Sequence, residues 1–169
     1  MLQPTVRRTW APRGQTPVMA NWDRHDRLSV AAALTVSPVR HRLGLYWQIA
    51  DRNFCGAMIA AVIRRLRRLL GRPLYLVLDR LPAHRTAARQ LGAREGRDAG
   101  PYRVSWLPAY APELDPTEHV WGHTKHDDLA NYAAADVDDL AAAVDTSLGC
   151  TRGDRALLSG FFRLAHLTL

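Results

Sequence analysis

Residues 73–79, PLYLVLD, run almost unbroken through apolar side chains and end on a single acid. Unbroken apolarity, as opposed to apolar-polar alternation, is the pattern of a strand covered on both faces. The flanking patterns say what would cover it. RLSVAAALTV (27–36) and LGLYWQIAD (43–51) read as two strands joined across SPVRHR, with Pro38 in the turn, and therefore as an antiparallel pair. From Phe54 the apolar period changes to 3.6: Met58, Ile59, Val62, Leu66, Leu69 and Leu70 share one helix face, and Arg64, Arg65, Arg67 and Arg68 crowd the other. Gly71 and Pro73 stop that helix.

Beyond Asp79 the pattern predicts a helix through AHRTAARQLGAR, a loop at EGRDAGP and a strand over YRVSWLP (102–108). A helix from about Pro116 to Asn131 follows, then two more near 136–147 and 154–166. Residues 1–27, with Pro4, Pro12, Gly14 and Pro17, read as loops around at most a short strand. The resulting order is α/β, with an antiparallel first pair and later strands parallel through helical crossovers. In open sheets of this kind ligand chemistry gathers at the carboxyl ends of the strands, where Asp79 stands.

A chain of 169 residues, 47% of them apolar, can bury one core, so a single domain is expected. No uncharged apolar run reaches 18 residues and the N-terminus lacks a signal-peptide block, which predicts a cytoplasmic protein without a membrane partner. Cys55 and Cys150 stand in no metal-ligand or disulfide spacing and are expected to be small buried hydrophobes. The net charge is +7, and 22 of the 23 basic residues are arginine. Guanidinium groups match phosphate bidentately, so nucleic acid is the partner this balance suits, although a GC-rich coding bias gives the same composition.

Two acids carry the functional reading. A charge at the end of a covered strand costs several kcal/mol unless it is paired or bound to a metal; alternatively Asp79 reaches solvent or caps the helix after Pro82. His84, five residues on, is placed to orient Asp79 or touch phosphate. Glu118 lies in SWLPAYAPELDPTEHVWGHTK (105–125), where Asp115 suits an N-cap, Pro116 the first helical position and Glu118 the third, which completes a capping box. The cap explains the spacing. It does not explain the stiff, proline-framed approach. If that loop returns over the end of the Asp79 strand, two carboxylates meet and can hold magnesium for phosphoryl transfer.

LVLDRLPAH and WLPAYAPELDPTEHVWGHTK resemble the second and third acidic motifs of the DDE-type transposases of bacterial insertion sequences related to mariner elements. Leu107, Pro108, Tyr110, Pro112, Leu114, Pro116, Glu118, Trp121 and Lys125 all match, and RRTWAPRGQTPV (7–18) resembles the stretch before that family's second strand. The resemblance implies a ribonuclease-H-like mixed sheet flanked by helices. It implies DNA as substrate, two Mg2+ or Mn2+ ions held by acids including Asp79 and Glu118, Lys125 against phosphate, Trp121 and Tyr110 packing the loop against the sheet, and two protomers on two DNA ends. Arg80 and Asp115 stand where the family usually has asparagine.

The family's first aspartate lies on a central first strand, upstream of the segment that here begins MLQPTVRRTW, and its helix-turn-helix region lies further upstream still. Asp23, Asp26 and Asp51 are poor substitutes. The expectation is therefore a partial catalytic domain over 1–169, lacking its first central strand, with a doubtful hold on the metal and no DNA cleavage of its own. Two rival readings stand beside it. One is a non-catalytic nucleic-acid binder using Arg64, Arg65, Arg67 and Arg68 with Arg7 and Arg8. The other is a zinc site on the helix face shared by His119, His123 and His126.

Overall fold

The computed structural model describes residues 7–8, 10–18, 28–96 and 100–168. Two strands, β1 (Ser29–Val36) and β2 (Leu43–Ala50), form an antiparallel hairpin in the register Ser29↔Ala50 to Val36↔Leu43. Its turn is closed by Ser37 N–H to Arg42 O (2.9 Å) and His41 N–H to Ser37 O (2.9 Å). Helix α1 (Gly56–Leu70) follows and ends where Gly71 takes a left-handed φ of 65°, sending its N–H back to Arg67 O. That conformation is nearly free for glycine and costly for other residues.

Strand β3 (Leu74–Leu78), helix α2 (Pro82–Leu91) and strand β4 (Tyr102–Trp106) form a crossover unit, with β3 and β4 parallel from Leu74↔Tyr102 to Leu78↔Trp106. A 3-10 turn (Pro112–Leu114) leads into α3 (Pro116–His123), a π-helical turn (Thr124–Asp128), α4 (Val137–Gly153) and α5 (Arg155–Leu164). No helix is long and apolar enough to cross a membrane among the described residues.

Among the described residues the strands make two two-stranded sheets, β1-β2 and β3-β4, not bonded to each other. This corrects the expectation for β3. It is not covered on both faces: Tyr75 is 59% and Val77 55% exposed, and only the alternate residues are partly covered. The expected long helix after Pro116 is also shorter. It stops at His123 because the polar TKHDD stretch widens into the π turn, whose Thr124 is buried. Both cysteines are exposed, since Cys55 stands at the N-cap of α1 and Cys150 on the open side of α4. Tyr110 does not pack the loop: it is fully exposed, with a left-handed φ of 59°. Trp121 does pack as expected, partly buried against the main core.

That core joins β1 and β2 to α3, α4 and α5 through Leu28, Leu45, Val120, Leu129, Val144, Leu148, Leu158 and Phe161. A second packing unit sets α1 against α2, where Gly56 faces Thr86 so closely that a Cβ would lie 2.5 Å from its side chain. Its buried residues, Ala60, Ile63, Leu66, Ala87, Ala88, Tyr102 and Val104, come from α1, α2 and β4.

Candidate functional site

Asp79 is delivered by the carboxyl end of β3 just before Pro82 opens α2. One carboxylate oxygen, Oδ1, accepts the Leu81 backbone N–H (3.1 Å) and also meets His84 Nδ1. His84 is in place because α2 begins at Pro82 and its first turn swings the ring back over the strand end. The imidazole therefore fixes one oxygen of Asp79. Oδ2 makes no hydrogen bond among the described residues, and the side chain is 39% exposed. A half-fixed, half-open carboxylate suits a cation ligand better than a buried ion pair does.

The loop carrying the second acid is tied to the same strand end. Leu107 N–H donates to Leu78 O (2.8 Å), and Arg80 Nε donates to Leu107 O (3.1 Å), so the chain leaving β4 returns alongside Asp79. Arg80, where asparagine was expected, thus acts as a clamp on that loop.

Glu118 answers differently from its spacing. Asp115 is the N-cap of α3 and accepts Thr117 N–H at 2.9 Å, as the sequence predicts. The reciprocal half of the capping box is absent, because Asp115 N–H is already taken by Pro112 O (3.0 Å) in the 3-10 turn. Glu118 is exposed and has no hydrogen bond or ion pair among the described residues. The proline-framed loop has released this carboxylate from its structural task.

The acids do not by themselves close into a metal cage: no group of three His, Cys, Asp or Glu side chains able to hold an ion occurs among the described residues. Asp79 and His84 are brought together, and Glu118 does not join them in such a group. Asp23 and Asp26 lie outside the described residues, and Asp51 makes only an exposed pair with Arg52 (3.7 Å). Lys125 falls in the π turn and is partly buried.

The zinc face does not assemble either. His123 turns Nδ1 toward Asp127 Oδ2 (3.2 Å) and Nε2 toward Asp128 Oδ1 (3.4 Å), while its ring leans on Phe161. His119 Nε2 is buried without a partner. Arg7, expected on the nucleic-acid side, is tied to the same turn: its guanidinium meets Asp127 at 2.9 Å and its backbone N–H meets Asn131 Oδ1 at 2.7 Å. Arg8 is exposed. Arg64 reaches Gln90 O (3.2 Å) and Arg67 stacks on Tyr102, while Arg65 and Arg68 are exposed. The pairing of Arg7 with Asp127 links residues 120 positions apart and carried no local signal in the sequence.

A family model described as DDE superfamily endonuclease matches residues 1–141, which include β1 to β4, Asp79, His84 and Glu118. Searches of curated proteins and of solved structures give no match. With most of its length under that one model, and with the acids standing at a strand end and a helix start, the chain belongs to the DDE superfamily of endonucleases.

Proposed function

We propose that this chain is the catalytic domain of a transposase of the insertion-sequence, mariner-related kind, in which Asp79 and Glu118 hold divalent cations that cut and rejoin DNA. The observation that carries the reading is the release of Glu118 from its capping role beside a loop clamped to the Asp79 strand end. Members of this superfamily generally use divalent metals, and two hard carboxylate oxygens suit Mg2+ or Mn2+. When bound, such ions stabilise charge on the reacting phosphate.

The protein's own groups have separable parts. His84 and the Leu81 N–H hold Oδ1 of Asp79, and Oδ2 is left without a hydrogen bond among the described residues. Arg80 pins the start of the loop through Leu107 O. Water attacks the phosphorus and gives up a proton, and the bond to the 3′ oxygen breaks, leaving a 5′-phosphate on one side and, once that oxygen takes up a proton, a 3′-hydroxyl on the other; this hydroxyl later attacks a second phosphate in line, whose own bond to a 3′ oxygen breaks, and no covalent protein intermediate forms. Lys125 lies two turns after Glu118 for a phosphate contact.

On this reading the sheet is ribonuclease-H-like and the site needs a third ligand beside the two acids, since no three such groups meet among the described residues. The test is Mg2+-dependent nicking of element-end DNA. Asp79→Ala and Glu118→Ala are each expected to lower it by about 10²-fold or more, the order expected for loss of such charge stabilisation. Nicking that survives Glu118→Ala would refute the site, and no nicking in Mg2+ or Mn2+ would refute the catalytic reading.

A further inference from the structure

Residues 52–106 hold twelve arginines against three carboxylates, a net of +9, while the whole chain is +7, so everything outside this segment sums to −2. Residues 1–51 carry +4 and residues 107–169 carry −6, so the α1–β4 unit holds the largest positive excess of the chain. Within it, Arg64, Arg67, Arg68 and Tyr102 line a groove of about 220 Å³. No carboxylate lines it, helix α1 contains no acid, and none of these three arginines is in an ion pair among the described residues.

Two of the guanidiniums are held in place. Arg67 lies 5.5 Å over the ring of Tyr102, which is only 8% exposed, and its Nε is buried without a partner. Arg64 donates to Gln90 O of α2. Arg68 is exposed at the rim. Arg67 and Arg68 fall in the last turn of α1, where cations favour the helix dipole, but that accounts for neither Arg64 nor the groove. Like charges crowded around one hollow repel one another, and an anion offsets that repulsion.

We propose that this groove seats a backbone phosphate of DNA, at a site separate from the acids. The polymer's identity as DNA rests on the function proposed above; the preference for phosphate rests on the guanidinium set, whose paired N–H donors match phosphate oxygens. Tyr102 pairs with Leu74 at the amino end of the parallel strands, whereas Asp79 follows Leu78 at the other end. At about 3.3 Å per residue the two levels are roughly 16 Å apart along the strand. The seat therefore grips DNA away from the acids, and a phosphate contact of this kind fixes position without reading sequence.

The test is fluorescence anisotropy of a labelled DNA duplex in EDTA, which silences metal chemistry, over a salt series. Arg68→Gln and Arg65→Gln remove the same charge from neighbouring exposed positions of one helix, but only Arg68 lines the groove. Arg68→Gln is expected to flatten the plot of log affinity against log salt by about 0.9, the loss of one phosphate contact. Arg65→Gln is expected to leave the slope nearly unchanged. Equal slopes in the two arginine variants, or no binding by the unsubstituted chain, overturn the seat. Nicking that needs Asp79 while the Arg68 and Arg65 variants bind alike sinks the seat alone; Arg68-dependent binding by a chain that never nicks sinks the catalytic reading alone.

Discussion

The hairpin unit, β1 and β2 with α3 to α5, and the crossover unit, α1 to β4, are built on opposite principles. The largest fully buried side chains, Leu45, Leu148, Leu158, Val120 and Val144, all belong to the first. In the second the fully buried positions are alanines, Ala60 and Ala87, and its strand β3 shows Tyr75 and Val77 to solvent. Excess positive charge sits only in the second. Hydrophobic burial dominates folding free energy, and unbalanced charge opposes compaction. The hairpin unit therefore holds the molecule together. The crossover unit spends stability on presenting Asp79 and a band of arginines to a ligand.

The largest effect expected from this contrast is in the hairpin unit's core. Leu148→Ala empties a site with no exposure and should cost about 2–5 kcal/mol, whereas Val77→Ala, at a half-open position, should stay within about 0.5 kcal/mol. Urea melts of the two variants check this. A second reading comes from amide hydrogen exchange: β4 amides should open at lower free energy than β2 amides, because fewer large apolar groups cover them. Equal protection of the two strands would erase the distinction.

Much of this division was written locally. Gly71 and Gly92 end α1 and α2 where glycine's left-handed freedom predicts it, with φ of 65° and 62°, and Asp115-Pro116 starts α3 as its cap chemistry dictates. These signals act within one turn. What the sequence hid acts across the chain. The openness of β3 depends on what packs against its second face, and the residues of PLYLVLD are the same whether or not anything does. The free state of Glu118 was hidden too, because it turns on Pro112 O capturing the Asp115 N–H first. His123 looked like one of a metal-binding set until the π turn brought Asp127 and Asp128 to its two nitrogens. Tyr110 matches a motif position, and nothing in its neighbours announces a left-handed, fully exposed side chain.

At the junction where the site meets the hairpin unit, the two acids of α3 should separate cleanly. Asp115→Ala removes a cap and should lower stability by about 0.5–2 kcal/mol. Glu118→Ala removes no such bond and should leave the melting midpoint nearly unchanged while abolishing the nicking described above. Thermal melts of both variants decide it. A large loss of stability in Glu118→Ala would mean that the carboxylate is structural after all.

A smaller effect, read as a pH dependence, lies in the hairpin unit at the entrance to α4. Asp139 is held below its ordinary carboxylate value, first by the Tyr132 hydroxyl (2.7 Å) and then by the Ala135 N–H (2.8 Å). Because the folded value is the lower one, this contribution is present above the ordinary aspartate range and is lost as pH falls through the folded value. Tyr132→Phe should therefore destabilise at neutral pH and matter progressively less below about pH 4, the ordinary aspartate value. Tyr132 itself is raised above the ordinary phenol value, chiefly by that same bond, so its share is lost only as pH rises through the raised value. Melts of the two proteins across pH 3–7 should converge at the acid end, and a gap that widens on acidification would contradict the assignment.

The smallest expected effect compares one thiol from each unit. Cys55 stands at the N-cap position of α1 in the crossover unit, and its thiol is lowered from the ordinary value mainly by the Met58 N–H, with the Ala57 and Cys55 N–H groups and Arg52 adding to it against the opposing cost of desolvation. Cys150 is also exposed but lies within α4, where backbone N–H groups are committed to the helix. Thiolate is the reactive form, so the thiol with the lowered value labels first at neutral pH when access is equal. In a disulfide-exchange assay at pH 7, Cys55→Ser should remove the fast phase and Cys150→Ser the slow one. A fast phase that survives Cys55→Ser would show that the first turn of α1 does not direct its N–H groups at that sulfur, and the pull of that helix start on negative charge would have to be given up.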